Sequence, residues 1–191
     1  HPAGEWMLSY RYMFMDMDGM RSGTDSVSAA QVFGAGYVVT PRRMTMDMHM
    51  FGAMYAPTDD LTLMAMLPYT SMEMSHEIDP AAGMLVMLNG GSRFFTTESS
   101  GIGDLKLTAL LDLHDSGGHH LHGGLGISLP TGSISERDFV PGPGGRLSRQ
   151  LPAAMQLGSG SIDLLPSLTY LYHGEGWSGG IQASGVYRTQ S

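Results

Sequence analysis

The feature that most constrains this chain is a regular alternation of side chains in seven segments, joined by alternately long and short connections. Within each segment every second residue is largely apolar and the residues between are mixed or polar, which is the period of a β-strand. The segments are residues 5–17, 43–56, 61–75, 101–114, 119–129, 160–172 and 177–188. Tight turns at one end of a sheet and longer loops at the other are typical of a barrel that crosses an outer membrane. We therefore predict an all-β fold, an antiparallel up-and-down transmembrane β-barrel, with residues 1–191 in a single domain.

Composition agrees with this fold and argues against two other classes of protein. Hydrophobic residues make up 42% of the 191 residues, yet no apolar run approaches the roughly 20 residues of a membrane helix. The 18 Asp and Glu residues exceed the 10 Lys and Arg residues, for a net charge of −8. A nucleic-acid-binding protein carries a basic surface instead, so we expect no nucleic-acid partner. A lumen with the same acidic bias would favour cations.

The turn at residues 57–60 allows the two faces of the sheet to be predicted. Pairing Ala56 with Leu61 places five methionines on an almost wholly apolar face, which we assign to lipid: Met44, Met46, Met48, Met50 and Met54. The opposite face then carries Asp47 and His49, which would be costly in lipid, so we assign that face to the lumen. A slip of one residue would exchange the two faces.

Seven strands are an unusual number, because bacterial single-chain barrels have an even number. An open seven-stranded sheet in lipid would also leave backbone groups at its edges unpaired. Further strands after Ser191, an unusual meeting of the two ends, or other copies of the chain would complete the sheet. The first is the simplest, so we expect the domain to be incomplete at its C-terminus. Pro68 predicts a bulge or an unpaired position in the third segment, because proline lacks the N–H of a ladder hydrogen bond.

Five stretches of the sequence resemble a known family of membrane proteins. They are residues 4–13, 44–50, 100–104 (SGIGD), 129–133 (LPTGS) and 155–160. In their order and spacing they resemble a methionine-rich branch of the bacterial outer-membrane β-barrel transporters described as phenol-degradation-pathway-like. The resemblance covers nearly the whole chain and implies an outer-membrane location and a transport role. It supplies no substrate and no catalytic residues.

One candidate metal site is a group of histidines beside the turn at residues 115–118. Pairing Leu113 with Leu121 places four side chains together on the lumenal face: Asp112, His114, His120 and His122. Imidazole and carboxylate ligands suit zinc or divalent copper. The alternative is a polar, solvated turn near the mouth of a barrel.

A second candidate metal site is formed by methionine, because thioethers are soft ligands that select monovalent copper. The chain has 17 methionines, and the lumenal faces of the first and third segments carry seven of them: Met13, Met15, Met17, Met64, Met66, Met72 and Met74. Asp47 and His49 are expected between these two groups. The alternative is that methionine is a flexible filler of irregular interiors. A free amino terminus at His1 could also chelate copper.

We expect an outer-membrane channel or transport component for small solutes or hydrophobic compounds, with copper as the candidate ion. No enzymatic activity is expected, because no G-x-S-x-G nucleophile elbow links a strand to a helix. The expected partners are outer-membrane lipid and a small-molecule or metal-ion solute, and a homo-oligomer stays open. Two other classes also stay open: a copper-binding envelope protein for storage or sensing, and a structural subunit whose free edges join copies.

A soluble β-sandwich is the alternative fold. It does not explain why three long connections fall on one side of the sheet. It also does not explain an aromatic girdle at the short-turn end of the lipid face: Trp6, Tyr172 and Trp177.

Overall fold

The computed structural model describes residues 3–142 and 145–189, and it is 65% strand and 8% helix. The strands are β1 (Trp6–Asp18), β2 (Met20–Ser22), β3 (Asp25–Val27), β4 (Val39–Thr58), β5 (Leu61–Ile78), β6 (Phe94–Ile102), β7 (Leu105–Ser116), β8 (His119–Leu129), β9 (Arg137–Gly142), β10 (Gly145–Gln150), β11 (Asp163–His173), β12 (Ser178–Ser184) and β13 (Tyr187–Arg188). The helices are α1 (Ala29–Gly34), α2 (Gly83–Leu88) and a 3₁₀ turn (Ala153–Met155). The main sheet runs β1–β4–β5–β7–β8–β11–β12 with antiparallel neighbours and curls into a half-barrel. The predicted all-β, antiparallel architecture is confirmed.

Short and long connections lie at opposite ends of this sheet, as the sequence predicts. The short-turn end holds residues 59–60, 117–118 and 174–177, each of which joins two paired strands. The long-loop end holds the β2–β3 hairpin and α1, then α2, and then the β9–β10 hairpin with the 3₁₀ turn.

Among the residues that the structure describes, no helix is both long enough and apolar enough to span a membrane.

Strands β6 and β7 lie in line and together accompany the whole length of β5. Residues 61–66 of β5 pair with β7, and residues 69–77 pair with β6. Pro68 lies where β5 passes from one partner to the other, and its carbonyl accepts a hydrogen bond from the N–H of Gly103 at 2.9 Å. Pro68 is paired with Met50 of β4, so the prediction of an unpaired position is confirmed only for the side of β5 that faces β6 and β7. The strands also extend further than expected, into the stretch at residues 76–99 that the sequence assigns to a loop.

The β4–β5 hairpin pairs one residue away from the register expected from the sequence. Thr58, not Ala56, faces Leu61 across a two-residue turn at residues 59–60. A bulge at Ala56 and Pro57 takes up the difference. Pro57 favours a bulge there because it has no N–H to give to the ladder. The expected register was wrong, and a slip of one residue exchanges the faces of β4.

The methionines of β4 consequently lie on the same face as those of β1 and β5, and not on a lipid face of their own. We call this the inner face, because the third long loop packs on it. Leu151 and Met155 of that loop are buried against Met44, Met72 and Met74. The opposite, outer face of these strands is open.

The outer face carries an apolar band of equal length on four strands. The band covers residues 6–14 of β1, 61–69 of β5, 121–129 of β8 and 164–172 of β11. Its outward residues are aromatic or aliphatic, apart from Gly123 and Pro166. Each stretch has nine residues, and the eight steps from its first to its last Cα atom measure about 26 Å. Two aromatic pairs mark the short-turn edge of the band. Trp6 and Tyr55 are stacked with ring centroids 4.5 Å apart, and Tyr172 and Trp177 are tilted with ring centroids 4.8 Å apart.

Candidate functional site

The inner face of β1, β4 and β5 is lined by thirteen of the 17 methionines of the chain. They share this face for two reasons. Many of them are direct partners across neighbouring strands, and the others lie an even number of residues from such a partner along the same strand. The thirteen are Met7, Met13, Met15, Met17, Met44, Met46, Met48, Met50, Met54, Met64, Met66, Met72 and Met74. The expected placement of the β1 and β5 members on one shared face is confirmed, whereas the expected placement of the β4 members on the opposite face was wrong.

Methionine is concentrated on this face alone. Between the first and last of these methionines on each strand, the other inner residues are Ser9, Arg11, Gly52, Pro68 and Thr70. The outer positions of the same three stretches carry tyrosine, leucine, phenylalanine, alanine and polar residues, and no methionine. The two faces of the same strands therefore carry different apolar residues. A need for hydrophobic side chains alone would not restrict methionine to one face.

Three rows of methionines cross all three strands. Two of them are adjacent rows near the long-loop end, Met15–Met46–Met72 and Met17–Met44–Met74. The third lies near the short-turn end, Met7–Met54–Met64. We call these the upper rows and the lower row. Of the candidate ligands, Met15 lies in an upper row and Met13 lies two residues below it on β1. Met64 and Met66 lie about 13 Å or more below Met13 and Met15 along the strands.

The third long loop covers the upper rows. Met155 is fully buried, and its sulfur lies 3.3 Å from the hydroxyl of Thr97, which donates to it. The hydroxyl of Ser99 donates to the carbonyl of Met155 at 2.8 Å. At the other end of the face, a cavity of about 290 Å³ is lined in part by Met7, Met54 and Asp112.

The histidine group beside the β7–β8 turn is arranged differently from the prediction. Asp112 pairs with His122 as expected, but a bulge at Leu113 makes His114 face Leu121 on the outer side. The expected joining of His114 to the other three side chains was therefore wrong. Bulges re-aim side chains in this way, because one extra residue reverses the alternation beyond it.

Asp115 takes the inward position that was expected for His114. His120 Nδ1 lies 3.1 Å from Asp115 Oδ1, and His122 Nδ1 lies 3.9 Å from Asp112 Oδ1. The ring of His120 also meets the edge of His173, with centroids 5.1 Å apart. Within residues 3–142 and 145–189, no group of three or more His, Cys, Asp or Glu side chains is arranged to hold a metal ion. Zinc or divalent copper binding at this turn stays a prediction.

Asp47 and His49 lie on the outer face, and not between the methionines as the sequence analysis expected. The slip of one residue in the β4–β5 hairpin is the cause. Asp47 accepts a hydrogen bond from the hydroxyl of Tyr12, and His49 Nδ1 lies 2.8 Å from the hydroxyl of Tyr10. These bonds give each polar group a hydrogen-bond partner near the upper edge of the apolar band.

Asp104 is a structural anchor that the sequence analysis did not single out as a ligand. Its carboxylate is buried and accepts hydrogen bonds from the N–H groups of Gly132 at 2.9 Å and Ser159 at 2.7 Å. The hydroxyl of Thr131 donates to the carbonyl of Gly103 and accepts from the N–H of Leu105, each at 2.9 Å. The SGIGD and LPTGS stretches thus meet and fix the third loop over the inner face. The signal in the sequence was glycine beside small polar residues at a strand end in both stretches: Gly101, Gly103 and Gly132.

The extension of β4, β5 and β6 beyond the apolar band is held by buried polar groups. Glu77 is buried and accepts from Arg42 at 2.9 Å and from Arg93 at 2.5 Å. His76 stacks on Phe95 with ring centroids 4.7 Å apart, and burial lowers the pKa of its imidazole. We call these ends of β4, β5 and β6, which extend beyond the apolar band at the long-loop end, the collar.

Comparison with known proteins identifies no family for this chain. No protein-family model matches it, and no curated protein matches its sequence. The resemblance to outer-membrane transporters stays an expectation, and the function proposed below rests on the geometry of the two faces. His1 lies outside the described residues.

Proposed function

We propose that this chain forms part of the wall of an outer-membrane β-barrel that passes small solutes or hydrophobic compounds. The observation that carries the proposal is the division of the sheet into an apolar outer band and an inner face of thioethers and polar groups. A band of about 26 Å along the strands corresponds to about 20 Å along the axis of a barrel at the usual tilt of about 40°, close to the ~25 Å apolar band of outer-membrane barrels.

The exposure of the outer face supports lipid as the partner. Leu8 is 82% exposed, Ile181 is 72% exposed and Leu125 is 63% exposed. These residues lie on strands at both edges and in the middle of the sheet, so the apolar surface is continuous rather than scattered. A water-soluble protein seldom exposes a patch of this extent. Within the described residues no second sheet covers it, as a β-sandwich would require.

The proposal requires that the half-barrel be closed in the membrane. In the described part of the chain, the outer edges of β1 and β12 have no strand partner. Open edges are not tolerated in hydrocarbon, because their N–H and C=O groups would lose hydrogen bonds to water. Further strands, or a second copy of this chain, would close the wall between these edges.

The same unpaired edges favour a second candidate function, a structural subunit that assembles with copies of itself. Strand edges are templates for pairing between chains. The mass of the protein in detergent distinguishes the two functions. An extended or open-ended assembly would favour the structural subunit, and a closed monomer or small ring would favour the channel.

The test of the channel proposal uses the two tryptophans of the chain, Trp6 and Trp177, which both lie at the short-turn edge of the band. The protein is refolded into vesicles that contain lipids brominated near the headgroup, and osmotic swelling is followed in small sugars. We expect quenched tryptophan fluorescence and swelling faster than in protein-free vesicles. Quenching without swelling would reject the channel, and absence of quenching would reject the membrane location.

A further inference from the structure

We propose that the upper rows form a binding site for a soft monovalent cation, Cu(I). The site consists of six thioethers on three neighbouring strands: Met15, Met46, Met72, Met17, Met44 and Met74. A role for this site in passage through a lumen rests on the proposed function, whereas the binding itself does not.

The register brings the sulfur atoms within reach of one another. Met46 is the direct ladder partner of both Met15 and Met72, so its Cβ atom is about 5 Å from each of theirs, and the Cβ atoms of Met15 and Met72 are about 10 Å apart. The second row lies two residues further along each strand, which is about 7 Å. Methionine has three rotatable side-chain bonds, so two or three thioethers of these rows can converge on one ion.

The surroundings of the rows favour a soft ion over a hard one. The neighbouring inner residues are Thr97 and Ser99 of β6, which pair with Met74 and Met72, and Thr70 of β5. Asp47 and His49, which would suit harder or divalent ions, lie on the outer face. Arg11 is the inner-face cation nearest along β1, and it lies four residues, or about 13 Å, from Met15. The one imidazole beside the rows is that of His76, which lies two residues beyond Met74 on the same face and stacks on Phe95. A ligand set dominated by thioethers selects Cu(I) among the first-row ions.

Packing alone does not explain these residues. A core is normally filled by leucine, isoleucine, valine and phenylalanine, and methionine is used sparingly because it specifies a shape poorly. Met72 is 3% exposed, but Met17 at the edge of the second row is 41% exposed. A solvent-exposed methionine in line with buried ones gives an ion a path from the edge of the sheet into the rows. Met155 places a seventh thioether against the same rows.

Binding requires no electron transfer, because Cu(I) only exchanges its solution ligands for thioethers. Ag(I) has the same charge and softness and is stable in air, so it serves as the first probe. The protein in detergent is titrated with Ag(I), and then with Cu(I) under ascorbate in competition with a Cu(I) chelator. We expect saturable binding of at least one ion per chain, and absence of binding to both ions would overturn the proposal.

A matched pair of triple variants locates the site. M15L/M46L/M72L removes one upper row, and M7L/M54L/M64L removes the lower row on the same face and the same strands. Methionine to leucine conserves volume, so both variants are expected to fold. We expect binding at least about tenfold weaker in the upper-row variant and little change in the lower-row variant. Equal loss in both variants, or no loss in either, would overturn the location.

X-ray absorption of the copper-loaded natural protein gives a readout that does not depend on any variant. Two or three sulfur neighbours around copper are expected, and a shell of nitrogen and oxygen alone would overturn the site. The vesicle experiment tests membrane insertion and channel activity, and its result does not depend on copper binding. A protein that binds Cu(I) through sulfur but does not enter lipid would reject the proposed function and leave the metal site intact.

Discussion

Placing one arginine on either face of β7 tests the assignment of the two faces. Leu107 points outward in the middle of the apolar band, and its neighbour Thr108 points inward beside Gly126. Arginine on the lipid face of an outer-membrane barrel costs about 2–4 kcal/mol near the bilayer midplane, whereas lumenal substitutions mainly change selectivity. Leu107→Arg should therefore lower the folded-to-unfolded ratio by about 30- to 700-fold.

Thr108→Arg is the matched control, because it adds the same side chain one residue away. Thr108 is half-buried, so we expect some loss of stability, but less than Leu107→Arg causes, because a lumenal arginine keeps its charge in water. The assay is urea unfolding of each protein in lipid vesicles, followed by the fluorescence of Trp6 and Trp177. Equal destabilisation by the two variants, or a neutral Leu107→Arg, would refute the assignment of the faces.

Three further predictions concern the long-loop end. Asp104→Ala removes two charge-assisted hydrogen bonds and should cost about 2–4 kcal/mol, seen as faster hydrogen exchange in residues 130–162; unchanged exchange would contradict the anchor. A Cβ at Gly158 would lie 2.3 Å from the carbonyl oxygen of Gly132, so Gly158→Ala should loosen the same loop, whereas the control Gly83→Ala, which meets no atom within 4 Å, should not. The pKa of His76 is lowered in the folded protein, so its contribution to stability is complete above about pH 6.5 and is lost as the pH falls below that value. Exchange in the collar should therefore quicken at low pH in the natural protein and lose this dependence in His76→Gln.

The positions of the strands could be predicted from the sequence where the outward residues are apolar. The period of two is unbroken on β8, and the predicted segment at 119–129 coincides with the strand His119–Leu129. β6 was missed because its outward residues include Glu98 and Ser100. It lies above the band, where no apolar alternation marks a strand.

The register in which neighbouring strands pair could not be predicted from the sequence, because it depends on single residues at the turns. A four-residue turn at 57–60 and a two-residue turn with a bulge at Pro57 suit the same sequence, yet they place the β4 methionines on opposite faces. The bulge at Leu113 has no sequence signal of its own, and it decides whether His114 or Asp115 points inward. Which side chains near such bulges face inward can therefore be read only from the strand pairing in the structure.

A cysteine scan along β7, from Leu105 to Leu111, tests directly whether one face of the sheet lies in lipid. The natural chain has no cysteine, so each variant carries a single thiol to which a fluorescent label is attached in vesicles. We expect an alternation with period two: labels at 105, 107, 109 and 111 quenched by lipid-borne quenchers, and labels at 106, 108 and 110 quenched by water-soluble ones. Uniform exposure to water at all seven positions would contradict a sheet that places one face in lipid and the other on a lumen.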